Sequence, residues 1–215
     1  GGDRSKHTGP LSKFTWDKAD GERKLLYIAS NGHIYMIDTN MNIIFTGMVT
    51  QNKELFDSIL DGEHIKYDKN NKFVNLYAAF DIYYIDGKSV RQLNFVPMEE
   101  EDVPEEFRLT RLQNFVKELK PKSILDKDGG NSNPSKQHGK VDSESHSCYL
   151  TIKCKKFYSS NEMNIFMGCS TILSKVKDGS YEYNTDGLIF TPTSTGVGGD
   201  RSKHTGPLSK FTWDK

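Results

Sequence analysis

The chain has 215 residues, of which 29 are basic and 29 are acidic, so its formal net charge is zero. This balance excludes nucleic-acid binding driven by bulk positive charge, although a local basic groove stays open. No apolar stretch approaches the roughly 18 residues of a membrane span, and the N-terminus has no apolar signal region. The cysteines are odd in number and lack a CxxC pair, which suits a reducing compartment. We expect an intracellular protein that does not contact membranes.

An identical segment, GGDRSKHTGPLSKFTWDK, occurs at both ends of the chain, as residues 1–18 and 198–215. Evolved structural repeats diverge and stack against their neighbours, which two identical terminal copies do not do. We interpret residues 1–18 as an artefact of sequence assembly that provides a strand leading into the next motif. A tandem duplication or an engineered permutation is the alternative. We expect residues 193–215, which include the second copy, to form a loop.

Residues 24–49 are rich in β-branched and aromatic side chains and predict a three-stranded antiparallel meander. Its first turn is the Asn31-Gly32 pair, a strong hairpin signal, and its second turn falls at residues 38–42. Residues 73–85 form another long apolar segment and predict a central strand.

Residues 104–120 predict a helix, because proline and two glutamates occupy its first turn and basic residues its last. Pro121 ends this helix. Residues 125–147 contain almost no apolar side chains and many turn formers, and therefore predict a flexible insertion.

Strand character returns at residues 149–158. Ser159 and Glu162 have the spacing of a capping box, which predicts a helix over residues 161–175. Residues 183–191 predict a further strand. This order of elements indicates an α+β fold with mostly antiparallel sheets, and it lacks the βαβ alternation of doubly wound folds.

Four short stretches contain residues that can take part in catalysis or ligand binding: KADGER at 18–23, DGE at 61–63, Phe80-Asp81, and DGLIF at 186–190. A lysine becomes a nucleophile where burial or nearby cations lower its pKa. Carboxylates at strand ends are suitable ligands for Mg²⁺, and an aromatic ring at a strand edge, such as Phe80, can stack on a base. Together the four stretches predict metal-assisted nucleotidyl transfer to a lysine.

This ordered set resembles the covalent nucleotidyltransferases, which include mRNA capping guanylyltransferases and polynucleotide ligases. Residues 18–23 match their KxDGxR nucleophile motif, and residues 61–63 match their DGE motif. Residues 77–82 look like the segment whose aromatic ring stacks on the base. The fourth stretch, DGLIF at 186–190, is similar to capping enzymes, in particular those of large DNA viruses, whereas ligases carry an EGLVIK-like version. Residues 149–158 also resemble a capping-enzyme segment.

The resemblance implies a nucleotidyltransferase domain over residues 18–192, with twisted antiparallel sheets around a nucleotide cleft and helices outside. It implies an mRNA guanylyltransferase that takes GMP from GTP onto a lysine and passes it to the 5′-diphosphate end of RNA. GTP and an RNA 5′ end are then its partners, and Mg²⁺ or Mn²⁺ is its cofactor. A viral protein of this kind would act in the host cytoplasm or a viral factory.

The resemblance also implies roles for single residues. Lys18 is the catalytic nucleophile, Arg23 contacts the ribose or a phosphate, and Glu63 contacts the ribose hydroxyl. Phe80 stacks on guanine, and Asp186 serves the metal and the phosphates. The further nucleotide-binding residues are Asp20, Gly21, Lys153 and Lys155. The implied metal ligands are Asp186 and Glu63.

The chain departs from the family pattern after the fourth motif. It contains no lysine pair of the KWKP type, which orients the triphosphate in the family, and no OB domain follows. The triphosphatase and methyltransferase domains that viral capping proteins often carry are missing from it as well. One alternative is therefore a catalytically impaired GTP-binding fragment. The other alternative is an ATP-dependent polynucleotide ligase.

Overall fold

In the part of the chain that the structure describes, two β-sheets, one of eight strands and one of four, form the frame of the protein. The computed structural model describes residues 14–96, 103, 106–124, 149–159, 165–191, 196–197 and 211–214. The predicted insertion at 125–147 and the predicted capping box at Ser159 and Glu162 lie outside the described residues or side chains. Within the described residues, no helix is long and apolar enough to cross a membrane.

The large sheet begins with the predicted meander, which the structure confirms. Its strands are β2 (Glu22–Ile28), β3 (His33–Ile37) and β4 (Ile43–Val49). Gly32 in the first turn has a φ of +81°, and a Cβ there would lie 2.2 Å from the carbonyl oxygen of Thr50. Glycine is therefore required at this turn both by its backbone conformation and by the close approach of Thr50.

The rest of the large sheet lies on both sides of this meander. Its other strands are β5 (Ser58–Tyr67), β6 (Phe73–Ile85), β7 (Lys88–Ser89), β8 (Lys122–Ser123) and β9 (Thr151–Cys154). The strand order is β7-β6-β5-β2-β3-β4-β8, and β9 pairs with β6 in parallel. The predicted central strand is thus confirmed as β6. A 3₁₀ turn, Lys53–Leu55, precedes β5.

Helix α1 (Arg108–Leu119) covers one face of the large sheet with the buried side chains of Leu112, Phe115 and Leu119. The helix begins at Arg108 and not at residue 104 as predicted, because Phe107 has an extended backbone that accompanies the burial of its ring. The N–H groups of Arg108 and Leu109 donate to loop carbonyls at Asn94 and Phe95. The tertiary burial of Phe107 therefore overrides the local helix signal.

The strands of the small sheet are β1 (Phe14–Ala19), β10 (Tyr158–Ser159), β11 (Thr185–Thr191) and β12 (Phe211–Asp214). Their order in the sheet is β10-β1-β11-β12. The prediction of a loop over residues 193–215 is wrong at β12. This strand repeats the FTWD sequence of β1 and pairs with the opposite edge of β11, whose backbone groups would otherwise be left open.

The predicted strand at residues 149–158 is divided between the two sheets, and the correction has a physical cause. Lys155 donates its N–H to Ala79 of β6 and sends its side chain to Asp17 of β1, so the chain leaves one sheet for the other at this point. Helix α2 (Ile165–Lys177) follows, packs on β1 and β10, and takes the place of the helix predicted at 161–175. The α+β class with mostly antiparallel sheets is confirmed.

Aromatic and apolar side chains join the two sheets. The ring of Trp16 in β1 lies 5.8 Å from that of Phe80 in β6 and 4.8 Å from that of Phe157. Ala19 at the end of β1 packs in a cluster with Ile65 of β5. The C-terminal end of β1 is consequently held against β5 and β6.

Candidate active site

Lys18 and Asp186 form an ion pair across neighbouring strands of the small sheet. Lys18 in β1 is opposite Gly187 in β11, and its Nζ lies 2.5 Å from Oδ2 of Asp186. The two side chains keep 29% and 46% of their surface exposed, so the pair can be reached from solvent. The other oxygen of Asp186, Oδ1, is buried and has no hydrogen-bond partner among the residues that the structure describes. The pair thus combines an accessible amine with an acceptor oxygen that lacks a donor.

The turn after Lys18 brings the small sheet to the large one. Asp20 is exposed and donates its N–H to the carbonyl of Asn184 over 2.8 Å. A Cβ on Gly21 would lie 2.8 Å from Cγ of Glu63, which leaves no room for a side chain. Gly21 therefore permits the close approach of β5, and Glu63 lies beside the turn.

Glu63 is the carboxylate of the large sheet that faces this region. Burial raises the pKa of Glu63, the ammonium groups of Lys155 and Lys18 lower it, and the carboxylates of Asp61 and Asp186 raise it. Contacts place these residues together independently of the pKa: Lys18 pairs with Asp186, and Lys155 binds Asp17, the residue directly before Lys18. Glu63 lies beside the Gly21 turn. Strands from both sheets thus bring Lys18, Lys155, Glu63 and Asp186 into one charged cluster.

Arg23 is anchored beside this cluster by a buried carboxylate. Its Nε and Nη2 donate to the two oxygens of Asp61 over 3.0 and 2.6 Å, and the Tyr83 hydroxyl donates to Asp61 over 2.5 Å. Asp61 has no exposed side-chain surface, whereas Arg23 keeps 56%. The hydrogen bond from Arg23 to Asp61 raises the pKa of the guanidinium. The guanidinium is therefore held rigidly at an accessible position.

Two of the predicted Asp-Gly pairs lie inside strands. Asp61-Gly62 is in the middle of β5, and Asp186-Gly187 is within β11. A Cβ on Gly62 would lie 2.5 Å from Cζ of Tyr77, so the glycine provides space for a buried ring and does not form a turn. The expectation of a carboxylate at a strand end is wrong for Asp61, whereas Asp186 is the second residue of β11 and lies at its N-terminal end.

Phe80 lies within the 13-residue strand β6 and not at a strand edge as predicted, because β5 and β9 pair on either side of β6. Its side chain is 5% exposed. The planes of the Phe80 and Trp16 rings differ by 21°, so the two rings are stacked. The Phe80 ring is therefore packed on Trp16 and largely buried, and its stacking on a base stays a prediction.

Lys153 and Lys155 have opposite environments. Lys153 is exposed and pairs with Glu182 at 3.4 Å on the surface. Lys155 is buried, and its Nζ donates to the carbonyl oxygen and to Oδ2 of Asp17 over 2.7 and 2.6 Å. The structure therefore brings Lys155 to the charged cluster and leaves Lys153 in a surface pair.

Sequence reasoning gave Asp61 no role of its own within the DGE motif, and it missed Asp17, Tyr83 and Tyr183. Asp61 was visible as the first residue of the DGE motif, and Asp17 as the neighbour of the nucleophile. Neither tyrosine has a local sequence signal, because each acts on a carboxylate distant in the chain.

Asp186 and Glu63 are the carboxylates that could hold a divalent cation. The buried Oδ1 of Asp186, which lacks a donor, fits a cation ligand. Within the described residues, no group of three or more His, Cys, Asp or Glu side chains forms a metal site. Two carboxylates fit Mg²⁺, which usually keeps several waters and takes substrate phosphates as further ligands.

Comparison with known proteins shows a match to one protein family. The family model described as mRNA capping enzyme, catalytic domain, matches residues 12–204. Among curated proteins, no sequence matches the chain significantly. The matched span contains Lys18, Arg23, Glu63, Phe80 and Asp186.

Proposed function

Since the chain belongs to the mRNA capping enzyme family, whose catalytic domain matches its residues 12–204, we propose that Lys18 is the nucleophile of this guanylyltransferase domain. We assign the activity to a domain of residues 18–192. The observation that carries the proposal is the accessible Lys18–Asp186 pair, in which a lysine amine and a carboxylate are 2.5 Å apart at the junction of two sheets.

In the first step, the neutral amine of Lys18 attacks the α-phosphorus of GTP. A nitrogen–phosphorus bond forms, the bond to the pyrophosphate oxygen breaks, and pyrophosphate leaves. The proton of the amine must depart, and Asp186 Oδ2 at 2.5 Å can accept it. In the second step, the terminal oxygen of an RNA 5′-diphosphate attacks the same phosphorus, the nitrogen–phosphorus bond breaks, and Lys18 leaves as an amine after Asp186 returns a proton to its nitrogen. The cap is then joined to the RNA through a triphosphate bridge.

The surrounding residues support binding of the nucleotide. Arg23, which Asp61 holds in place, is accessible to the ribose or a phosphate, and Glu63 is the adjacent acceptor for a ribose hydroxyl. Phe80 is the ring proposed to stack on guanine. The remaining proposed nucleotide contacts are Asp20, Gly21, Lys153 and Lys155.

A divalent cation, Mg²⁺ or Mn²⁺, fits the proposed reaction. Asp186 and Glu63 would hold it, and when bound it neutralises charge on the phosphoryl oxygens. Phosphoryl transfer depends mainly on such positioning and charge stabilisation.

The form of the fourth motif, DGLIFTP, supports origin from a large DNA virus. A viral capping enzyme of this kind acts in the host cytoplasm or a viral factory. This proposal concerns the source of the chain and is independent of the chemistry at Lys18.

Labelling with radioactive nucleotide tests the proposed donor. The protein is incubated with Mg²⁺ or Mn²⁺ and with GTP or ATP labelled at the α-phosphate, and is then denatured and separated by electrophoresis. We expect label from GTP, and none in Lys18→Arg, whose guanidinium stays protonated. Label from ATP alone would identify a polynucleotide ligase. GTP binding without label would identify the alternative, a catalytically impaired GTP-binding fragment.

A further inference from the structure

A buried hydrogen-bonded triad lies directly behind the candidate nucleophile. Lys155 Nζ donates to the carbonyl oxygen and to Oδ2 of Asp17, the residue before Lys18, over 2.7 and 2.6 Å. The Tyr183 hydroxyl donates to the same Oδ2 over 2.9 Å. The Lys155 ammonium also lies 5.1 Å from the centre of the Tyr183 ring. Lys155 and Asp17 each keep 2% of their side-chain surface exposed.

Stability alone does not account for such a triad. A buried ion pair contributes little compared with apolar side chains of the same volume, because removing two charges from water is costly. Buried polar groups of this kind can fix one arrangement of the surrounding elements, since hydrogen bonds are directional and apolar contacts are not. The location of the triad shows which elements it fixes.

The triad joins the two sheets that build the site. The N–H of Lys155 donates to Ala79 of β6 over 2.8 Å, so its backbone belongs to the large sheet. Its side chain binds Asp17 in β1 of the small sheet, one residue from Lys18. Glu63 comes from the large sheet, and Lys18 from the small one. The position of the nucleophile relative to Glu63 consequently depends on this contact.

Apolar contacts also join the sheets near Lys18. They are the stacking of Trp16 on Phe80 and the packing of Ala19 against Ile65. Such contacts hold the sheets together but permit small displacements along the interface. The hydrogen bonds of Lys155 to Asp17 remove that freedom at the residue that precedes the nucleophile.

We propose that Asp17 and Tyr183 are positioning residues for guanylyl transfer. By holding Lys155, they fix the position of Lys18 relative to Glu63 and the other site residues of the large sheet. The inference rests on the proposed function of Lys18. Neither residue contacts the nucleotide in this account. A displacement of the nucleophile by about 1 Å can slow transfer by about 100-fold.

The positioning role of Asp17 and Tyr183 is separate from the nucleotide contact proposed above for Lys155 itself, for which its third donor is the candidate group. An ammonium has three donors, and two of those of Lys155 are bound to Asp17. If the triad positions Lys18, its loss slows the chemical step at saturating GTP and leaves the affinity for GTP intact. If the triad instead served to present Lys155 to the nucleotide, its loss would weaken GTP binding.

The test compares Tyr183→Phe and Asp17→Asn with Tyr181→Phe, a matched control whose ring lies 5.7 Å from that of Tyr183. For each variant the single-turnover rate constant of protein–GMP formation is measured at saturating GTP, together with the Kd for GTP and the melting temperature. We expect Asp17→Asn to be slower by about 10- to 100-fold and Tyr183→Phe by several-fold, with the Kd changed by less than about twofold. Tyr181→Phe should label at the wild-type rate.

Lys155 variants provide the conservative rescue, and they remain informative if Asp17→Asn does not fold. Lys155→Arg keeps a donor toward Asp17 and should retain more of the rate than Lys155→Met. Wild-type rates in both Asp17→Asn and Tyr183→Phe would overturn the positioning role while the proposed function stands. A raised Kd with an unchanged saturating rate would overturn it too. A wild-type protein that takes no label from GTP would overturn the proposed function and this inference together.

Discussion

The ion pair between Arg108 and Asp81 ties helix α1 to the strand that carries Phe80, and its removal should destabilise the protein strongly. Arg108 donates from Nε and Nη2 to the oxygens of Asp81 over 2.9 and 3.3 Å, and it also donates to the carbonyl of Leu93. The side chains of Arg108 and Asp81 are 1% and 4% exposed. Arg108→Met would therefore leave the Asp81 carboxylate buried without its cation.

Breaking a buried pair by removing one partner costs about 3–5 kcal/mol, because the remaining charge is uncompensated. For a protein of this size, each kcal/mol lowers Tm by about 2–4 °C. Arg108→Met should therefore lower Tm by roughly 6–20 °C. Adding Asp81→Asn removes the unpaired charge and keeps the oxygen that accepts the N–H of Ile82, so the double variant should regain much of the loss.

Thermal and urea unfolding, followed by far-ultraviolet circular dichroism, would measure the wild type, both single variants and the double variant. The four free energies of unfolding form a double-mutant cycle that isolates the interaction. An Arg108→Met protein within about 1 kcal/mol of the wild type would refute the reasoning. The reasoning would also be refuted if the double variant lost as much free energy of unfolding as the two single variants together, since the members of an ion pair must show an interaction energy in such a cycle.

Three further predictions concern single residues of the large sheet and the site. Gly62→Ala should cost about 1–3 kcal/mol of unfolding free energy in the same assay, because its Cβ would lie 2.5 Å from Cζ of Tyr77; an unchanged stability would show that Tyr77 moves freely. Burial lowers the pKa of His64, so below about pH 6.5 the unfolded chain binds more protons than the native protein and stability should fall as pH falls. His64→Gln should flatten that dependence, and an identical pH profile in the variant would contradict the assignment. Asp186→Asn should slow GMP labelling by at least about tenfold, because the partner of Lys18 loses its charge, while GTP binding is still detected in a thermal-shift assay. Labelling of Asp186→Asn at the wild-type rate would show that Asp186 takes no part in the reaction.

Local signals in the sequence predicted much of the large sheet. The Asn31-Gly32 turn was readable because its glycine is needed within the turn itself, and β6 was readable from its unbroken apolar run. The KADGER and DGLIF stretches likewise indicated Lys18 and Asp186 as chemical residues. Lys18 and Asp186 are 168 residues apart in the sequence, and they meet because their strands, β1 and β11, pair side by side.

The remaining features depend on contacts between distant segments, which no local pattern contains. Gly62 leaves space for the ring of Tyr77, so its Asp-Gly pair lies within β5 and not at a strand end as expected. Helix α1 starts late because Phe107 is drawn into the interior. Tyr183 acquires its role through Asp17, 166 residues away. Strand β12 forms because β11 has an edge to pair with, although the same letters at 211–214 were expected in a loop.

The most direct test of the account is to locate GMP on the chain by mass spectrometry after reaction with GTP and a divalent cation. The two copies of FTWDK are identical, but only the first continues as ADGER, so a tryptic peptide FTWDKADGER that carries GMP identifies Lys18. We predict GMP on Lys18 alone, through a phosphoramidate that is labile in acid and stable in alkali, and none in Lys18→Arg. GMP on Lys215 or on any other residue, or undiminished modification of Lys18→Arg, would contradict the assignment of Lys18 as the nucleophile.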